Sequence, residues 1–285
     1  MTETHVTAPT EFVATDGTRF AYRRFGAGRG VPLVFMPHYR AGMDHWDPAV
    51  TDGFAASRPV ILFDNAGVAG SSGETPDTME AMADNAAKFL GALGVATVDV
   101  LGHSIGGYIA QTLALRHPTK VRRLILAGTG PRAGEPSRDP KVREWADSTY
   151  PQTGESSLEA FLYLFFHPSP TSQAAGKAFW DRRHRRKQDA DRASTPQTMA
   201  AQRAAIIAWS KATGERNAKV DDITQPALVV NGNHDIMIPT INSYNLSQAI
   251  PNAQLIIYPD SGHGALFQFP ELLVAHGRLF LDAST

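Results

Sequence analysis

The chain has no cysteine among its 285 residues. That absence excludes disulfides, thiolate metal sites and cysteine nucleophiles, and it fits either redox compartment. Net charge is nearly absent as well, since 27 basic side chains against 28 acidic ones leave −1. No excess of positive charge draws the chain to nucleic acid or to an anionic membrane. Long apolar runs are also missing; none reaches the roughly 18 residues that a membrane span needs. The first twelve residues, MTETHVTAPTEF, lack the basic stretch and apolar core of a secretory signal. No H-E-x-x-H or comparable ligand spacing occurs, so neither a metal nor a cofactor is expected. What is present is 42% hydrophobic and 19% charged. That is ordinary for a globular protein, and the chain is long enough to bury a sizeable core. The expectation is a cytoplasmic protein acting on a small molecule, with no nucleic-acid or membrane partner. The oligomeric state is not legible.

Along the chain, two alternating segments, residues 11–14 and 18–25, flank Asp16-Gly17, a hairpin turn signal. PLVFM at 32–36 and PVILF at 59–63 are short, nearly continuous apolar runs. Such runs suit strands buried on both faces, as in a parallel sheet. Residues 98–101, 121–127, 227–231 and 254–258 read the same way. Helical patterns lie between them at 46–57, 78–93 and 105–117, and a last helix is expected at 267–281. The alternation predicts an α/β fold: a mostly parallel central sheet with helices on both faces. Between 131 and 223 no buried strand appears. That stretch carries helical candidates at 141–149, 156–166, 172–186 and 198–211. It therefore reads as a helical cap inserted into a core made of residues 1–130 and 224–285.

Gly102-His103-Ser104-Ile105-Gly106 fits G-x-S-x-G. Alone the pattern recurs by chance in about one chain of this length in ten. Here it directly follows a strand and directly precedes a helix, the context a nucleophile elbow requires. Small flanking residues suit a sharp turn, and the free N–H groups of a helix start suit a developing oxyanion. The bland reading is a serine that merely caps the helix. His103 reads as a packed histidine pointing elsewhere.

With this elbow the chain resembles the α/β-hydrolase superfamily, in its serine-nucleophile, esterase-like branch. The resemblance runs in the order strand, elbow, cap, acid strand and histidine loop, over nearly the whole chain. It implies Ser104 as nucleophile, followed along the chain by an acid and then a histidine. Asp235, in VVNGNHDIMIP, stands just after a buried strand and is the expected acid. Asp260 is the runner-up, in a turn three residues before His263. His263 lies between two glycines in the loop after the last strand and is the expected base. His234 competes with it, or joins Asp235 and His38 or His45 as a metal site. The resemblance also implies two oxyanion donors: the N–H of Ile105 and that of Tyr39. The family usually shows His-Gly where this chain has Pro37-His38, which leaves the role of His38 open. Residues 64–71 resemble the family's D-x-R-G-x-G-x-S turn, read as structural. The basic run DRRHRRK at 181–187 reads as a solvated helix face.

The expected function is hydrolysis of a small, largely apolar carbonyl compound, a carboxylic ester first, through an acyl-enzyme. The cap aromatics Trp145, Tyr150, Phe161, Tyr163, Phe165, Phe166, Phe179, Trp180 and Trp209 favour apolar groups. C–C bond hydrolases, lactonases, amidases, peptidases and perhydrolases share the same resemblance. So does a ligand receptor that turns over slowly or not at all. Ser104 argues against the dehalogenase and epoxide-hydrolase branches, which carry Asp at the elbow.

Overall fold

The computed structural model describes residues 3–147, 157–211 and 220–283. Its centre is an eight-stranded sheet. The strands are β1 Glu11–Thr15, β2 Thr18–Phe25, β3 Leu33–Met36, β4 Val60–Phe63, β5 Val98–His103, β6 Val121–Ala127, β7 Ala227–Gly232 and β8 Ala253–Tyr258. Their order in space is β1-β2-β4-β3-β5-β6-β7-β8. β1 and β2 form an antiparallel hairpin, and β2 is antiparallel to β4. Every other neighbouring pair is parallel. The hairpin turns at Asp16 and Gly17, both at positive φ, as a two-residue turn matched to strand twist requires.

β3, β4, β5 and β7 are buried at every position, so both faces must be covered. Alternate side chains go to opposite faces. Val34, Met36, Ile61 and Phe63 face α2 Met79–Ala92, α3 Ile105–Arg116 and α8 Ile241–Ala249. Leu33, Phe35, Val60 and Leu62 face α1 Pro48–Ala55, α9 Ala265–Gln268 and α10 Pro270–Asp282. The single helix expected at 267–281 is two helices. Phe269 sits at φ −122, ψ 55, because the Pro270 ring restricts the residue before it and suits only a first helical turn.

Between β6 and β7 lie α4 Pro140–Asp147, α5 Leu158–Phe165, α6 Pro170–Arg183 and α7 Pro196–Ser210. The last two begin two residues before the sequence pattern suggested. Pro170 and Pro196 occupy first-turn positions, and Ser169 and Thr195 cap them by side-chain oxygens, a pairing that fixes a helix start. The end of the 141–149 candidate and the start of the 156–166 one lie outside the described residues. Tyr150 and the Trp145 side chain do as well.

The basic run is not a solvated face. Arg182 grips the buried Asp47 at 2.6 and 2.9 Å. Arg186 donates to the carbonyls of Val6 and Ala8 at 2.9 and 2.8 Å. Arg183 is buried, with its guanidinium over the Trp180 ring at 4.8 Å. Only Asp181, Arg185 and Lys187 of the run are exposed. No helix among the described residues is long and apolar enough to cross a membrane.

Candidate active site

β5 runs into α3 through Ser104, whose backbone sits at φ 58, ψ −122. A non-glycine residue held there is strained by about 1–3 kcal/mol, and such strain clusters at functional sites. The Ser104 side chain makes no capping hydrogen bond to α3, so the bland reading finds no support. The first turn of α3 lies hard against the loop after β3. A Cβ on Gly106 would stand 1.9 Å from the carbonyl oxygen of Met36, which no side chain tolerates. The N–H groups of Gly107 and Tyr108 turn back to the Ser104 carbonyl. Those of Ile105 and Gly106 have no such partner, as at any helix start.

His263 and Asp235 are brought together. His263 Nδ1 lies 2.8 Å from Asp235 Oδ2, and both side chains are buried. A carboxylate accepts here, so the hydrogen is on Nδ1 and the lone pair on Nε2. That Nε2 is buried without a hydrogen-bond partner. The other carboxylate oxygen of Asp235 accepts from the N–H groups of Met237 and Ile238 at 2.8 and 2.9 Å. The histidine loop is tightly packed. Residues 261–264 are all buried, and the Gly264 N–H donates to the Phe165 carbonyl at 2.6 Å.

Asp260 does not reach the histidine. Its carboxylate accepts from the Ser169 hydroxyl at 2.8 Å. Its carbonyl takes the Gln268 side chain. His234 is exposed and stacks on His167 with centroids 4.1 Å apart. Among the described residues, no three His, Cys, Asp or Glu side chains stand where they would hold a metal ion.

The loop after β3 is held from α7. The Tyr39 hydroxyl donates to the Met199 carbonyl at 3.1 Å, and the Arg40 N–H donates to the Gln202 side chain at 2.8 Å. Ser194 donates to the Arg40 carbonyl at 2.7 Å. His38 is packed: its Nδ1 donates to the Tyr39 carbonyl at 3.0 Å. Its ring meets Phe165 edge-on at 5.0 Å. Phe165 also covers His263, at 5.1 Å. Burial pushes the pKa of His38 well below the ordinary imidazole range, and His103 and Arg183 add to it. Aromatics of α5, α6 and α7 pack largely on one another and on the residues around the sheet. Phe179 stacks on Phe267 at 4.2 Å, Phe161 on Phe165 at 4.1 Å and Trp209 on Tyr108 at 4.8 Å.

A buried charge cluster went unread in the sequence. Asp44 and Asp191 exchange hydrogen bonds, each N–H donating to the other's Oδ2 at 2.7 Å. Arg23, fully buried, donates to both carboxylates. Burial first, then Asp44, pushes the Asp191 carboxyl up to about 7. Asp64, in the glycine-rich turn, accepts from the N–H groups of Met43 and Gly70 at 3.0 Å each. Burial raises its pKa well above the carboxylate range, with Asp191 adding. Arg23, Asp44, Asp64 and Asp191 sit up to 168 positions apart, and no local pattern joins them.

The model of the family described as alpha/beta hydrolase fold matches residues 32–270. The chain belongs to the alpha/beta hydrolase fold family. A solved structure, an alpha/beta hydrolase fold protein from Chitinophaga pinensis, is 37% identical with a TM-score of 0.90. That match covers 99% of this chain and 100% of the other. A protein of Caulobacter vibrioides named "Putative carbamate hydrolase RutD" is 28% identical over 256 residues, 86% of this chain and 87% of that one. The Pimeloyl-(acyl-carrier protein) methyl ester esterase of Aromatoleum aromaticum is 31% identical over 179 residues, 60% of this chain and 69% of that one. β5, β6, β7 and β8 run parallel, so the segments that follow β5, β7 and β8, bearing Ser104, Asp235 and His263, leave the same edge of the sheet.

Proposed function

We propose that the chain is a serine hydrolase in which Ser104 is the nucleophile, His263 the base and Asp235 the residue that orients the base. In this reading residues 131–223 are a cap over a core of residues 1–130 and 224–285. The target is a small cytoplasmic molecule. Ser104 Oγ attacks the carbonyl carbon while His263 Nε2 takes its proton. The Asp235 carboxylate stabilises the imidazolium that forms. The N–H groups of Ile105 and Tyr39 receive the oxyanion. His263 returns the proton to the leaving group. Water, activated by the same nitrogen, then resolves the acyl-enzyme to a carboxylic acid.

The observation that carries this reading is the Nδ1–Asp235 bond at 2.8 Å. It fixes the tautomer whose Nε2 is a lone pair, as a base requires. The substrate in this reading is a compact, largely apolar carbonyl compound, a carboxylic ester first. The names of the similar proteins, a carbamate hydrolase and a methyl ester esterase, support an acyl or carbamoyl carbonyl.

The test is labelling with a fluorophosphonate and turnover of p-nitrophenyl butyrate. Wild type is expected to label on the peptide that contains Ser104 and to turn the ester over. Ser104→Ala is expected to label nowhere and to lose kcat by a factor on the order of 10⁴–10⁶. Wild-type kcat in Ser104→Ala overturns the assignment. Labelling of wild type without turnover points to a ligand receptor instead.

A further inference from the structure

The proposed base is held by more than its carboxylate. His103, the residue before the proposed nucleophile, is fully buried and reaches the main chain of His263. Its Nε2 lies 3.0 Å from the His263 carbonyl oxygen. A carbonyl only accepts, so Nε2 carries the hydrogen. The two rings pack 4.8 Å apart at 35°. Phe267 and Phe165 close on His103 edge-on at 5.3 and 5.9 Å. Burial holds the pKa of His103 well below the ordinary range, and the neighbouring His263 adds to this. The ring therefore stays neutral while His263 exchanges protons beside it. The main chain of Gly128, just past β6, passes both rings at φ 50. A Cβ there would stand 3.1 Å from His263 Nδ1 and 3.2 Å from His103 Nε2.

We infer that His103 and Gly128 are positioning residues that seat His263 against Ser104. His103 acts through its hydrogen bond to the base's own carbonyl, and Gly128 by leaving room for both rings. Ser104 follows His103 directly. Any drift of the histidine loop away from the elbow must stretch this bond, so nucleophile and base are tied through one peptide unit. The inference rests on the proposed roles of Ser104 and His263.

The experiment compares His103→Phe, His103→Gln and Gly128→Ala in the full chain. Active sites are counted with a fluorophosphonate, so that kcat refers to labelled sites only. His103→Phe is expected to lower kcat on p-nitrophenyl butyrate about tenfold or more, with KM within about twofold. Its kcat/KM profile should keep an acid limb that lies at lower pH than in wild type, because a loosened His263–Asp235 pair stabilises the imidazolium less. His103→Gln places an amide N–H near the lost Nε2 and should recover most of the rate. Gly128→Ala should follow His103→Phe in both readouts.

Unchanged kcat and acid limb in His103→Phe overturn the inference, and so does an equal loss in His103→Phe and His103→Gln. If His103→Phe does not fold, Gly128→Ala decides, and wild-type values there overturn it too. A wild type that turns over no ester and takes no label removes the proposed function, and this inference falls with it. A wild type that is active beside indifferent variants removes the inference alone.

Discussion

Asp260 stands three residues before His263, and Asp235 stands 28 before it, yet only the distant carboxylate meets the ring. Chain proximity is a poor guide where a turn points a side chain outward. Position after a buried strand was the better signal, because parallel strands deliver their ends to one edge of the sheet. Asp235→Asn is therefore expected to lower kcat/KM by a factor on the order of 10³–10⁴, since the amide leaves the imidazole in the wrong tautomer. Asp260→Asn should change it by less than about threefold. The check is the pair of kcat/KM values on one ester; equal losses would move the orienting acid to Asp260. The pairing of Asp235 with His263 was legible because each sits in a loop that follows a strand, and the proposed nucleophile Ser104 stands where β5 gives way to α3. The contacts of His103 and His38 were not legible. His103 is fixed by His263, 160 residues on, and His38 by the adjacent Tyr39 carbonyl together with Phe165, more than a hundred residues on.

At the scale of elements, the strands were legible as apolar runs, since burial on both faces leaves little room for polar side chains. Helix starts at Pro170 and Pro196 were missed by two residues, although Ser-Pro and Thr-Pro mark them. The break before Pro270 was missed because an apolar period runs through it. The basic run shows a different failure. A basic run followed at once by Gln188, Asp189 and Asp191 suggests a solvated face, but Asp47 lies 135 residues away and waits at the end of Arg182. Asp47 is fully buried and also caps α1 through the Ala49 N–H. Arg182→Ala is expected to destabilise the fold by about 2–4 kcal/mol, because it strands a buried carboxylate. Lys187→Ala should stay within about 0.5 kcal/mol. Urea midpoints of the two variants check this; similar small shifts would mean that the ion pair is idle. The aromatic packing of α5, α6 and α7 leads to a second expectation: kcat/KM should favour a neutral acyl chain over a matched anionic one. A tenfold preference for the anion would overturn it and direct attention to Arg40, Arg143 and Arg203.

The whole molecule carries its buried titratable groups as two opposed sets. His5 is lowered to about 4, mainly by burial. His38, His45 and His103 are held well below the ordinary range for the same first cause. Each is neutral when folded but binds a proton when unfolded below about pH 6.5. Their contribution is complete above that pH and is lost on acidification. Asp64 and Asp191 work the other way, since a raised carboxyl favours the folded state at low pH and loses that contribution as pH climbs. For Asp191 the loss runs from about 4 to about 7. Asp52 and Asp99, raised less, act at the acid end. Four histidines outweigh two aspartates, so unfolding takes up protons between pH 5 and 6.5. Stability should fall by about 1–3 kcal/mol on going from pH 6.5 to pH 5. Urea midpoints across that range check the sign; a midpoint that rises on acidification would refute it. The bond from His103 to the His263 carbonyl spans 160 residues. A ribosome adding 5–20 residues per second needs roughly ten to thirty seconds to cover that distance. During that interval Ser104 has been made while His263, the base in the proposed function, has not. In the proposed function, a nascent chain stalled anywhere in that stretch carries a hydroxyl without its base, so reactivity waits for the loop after β8.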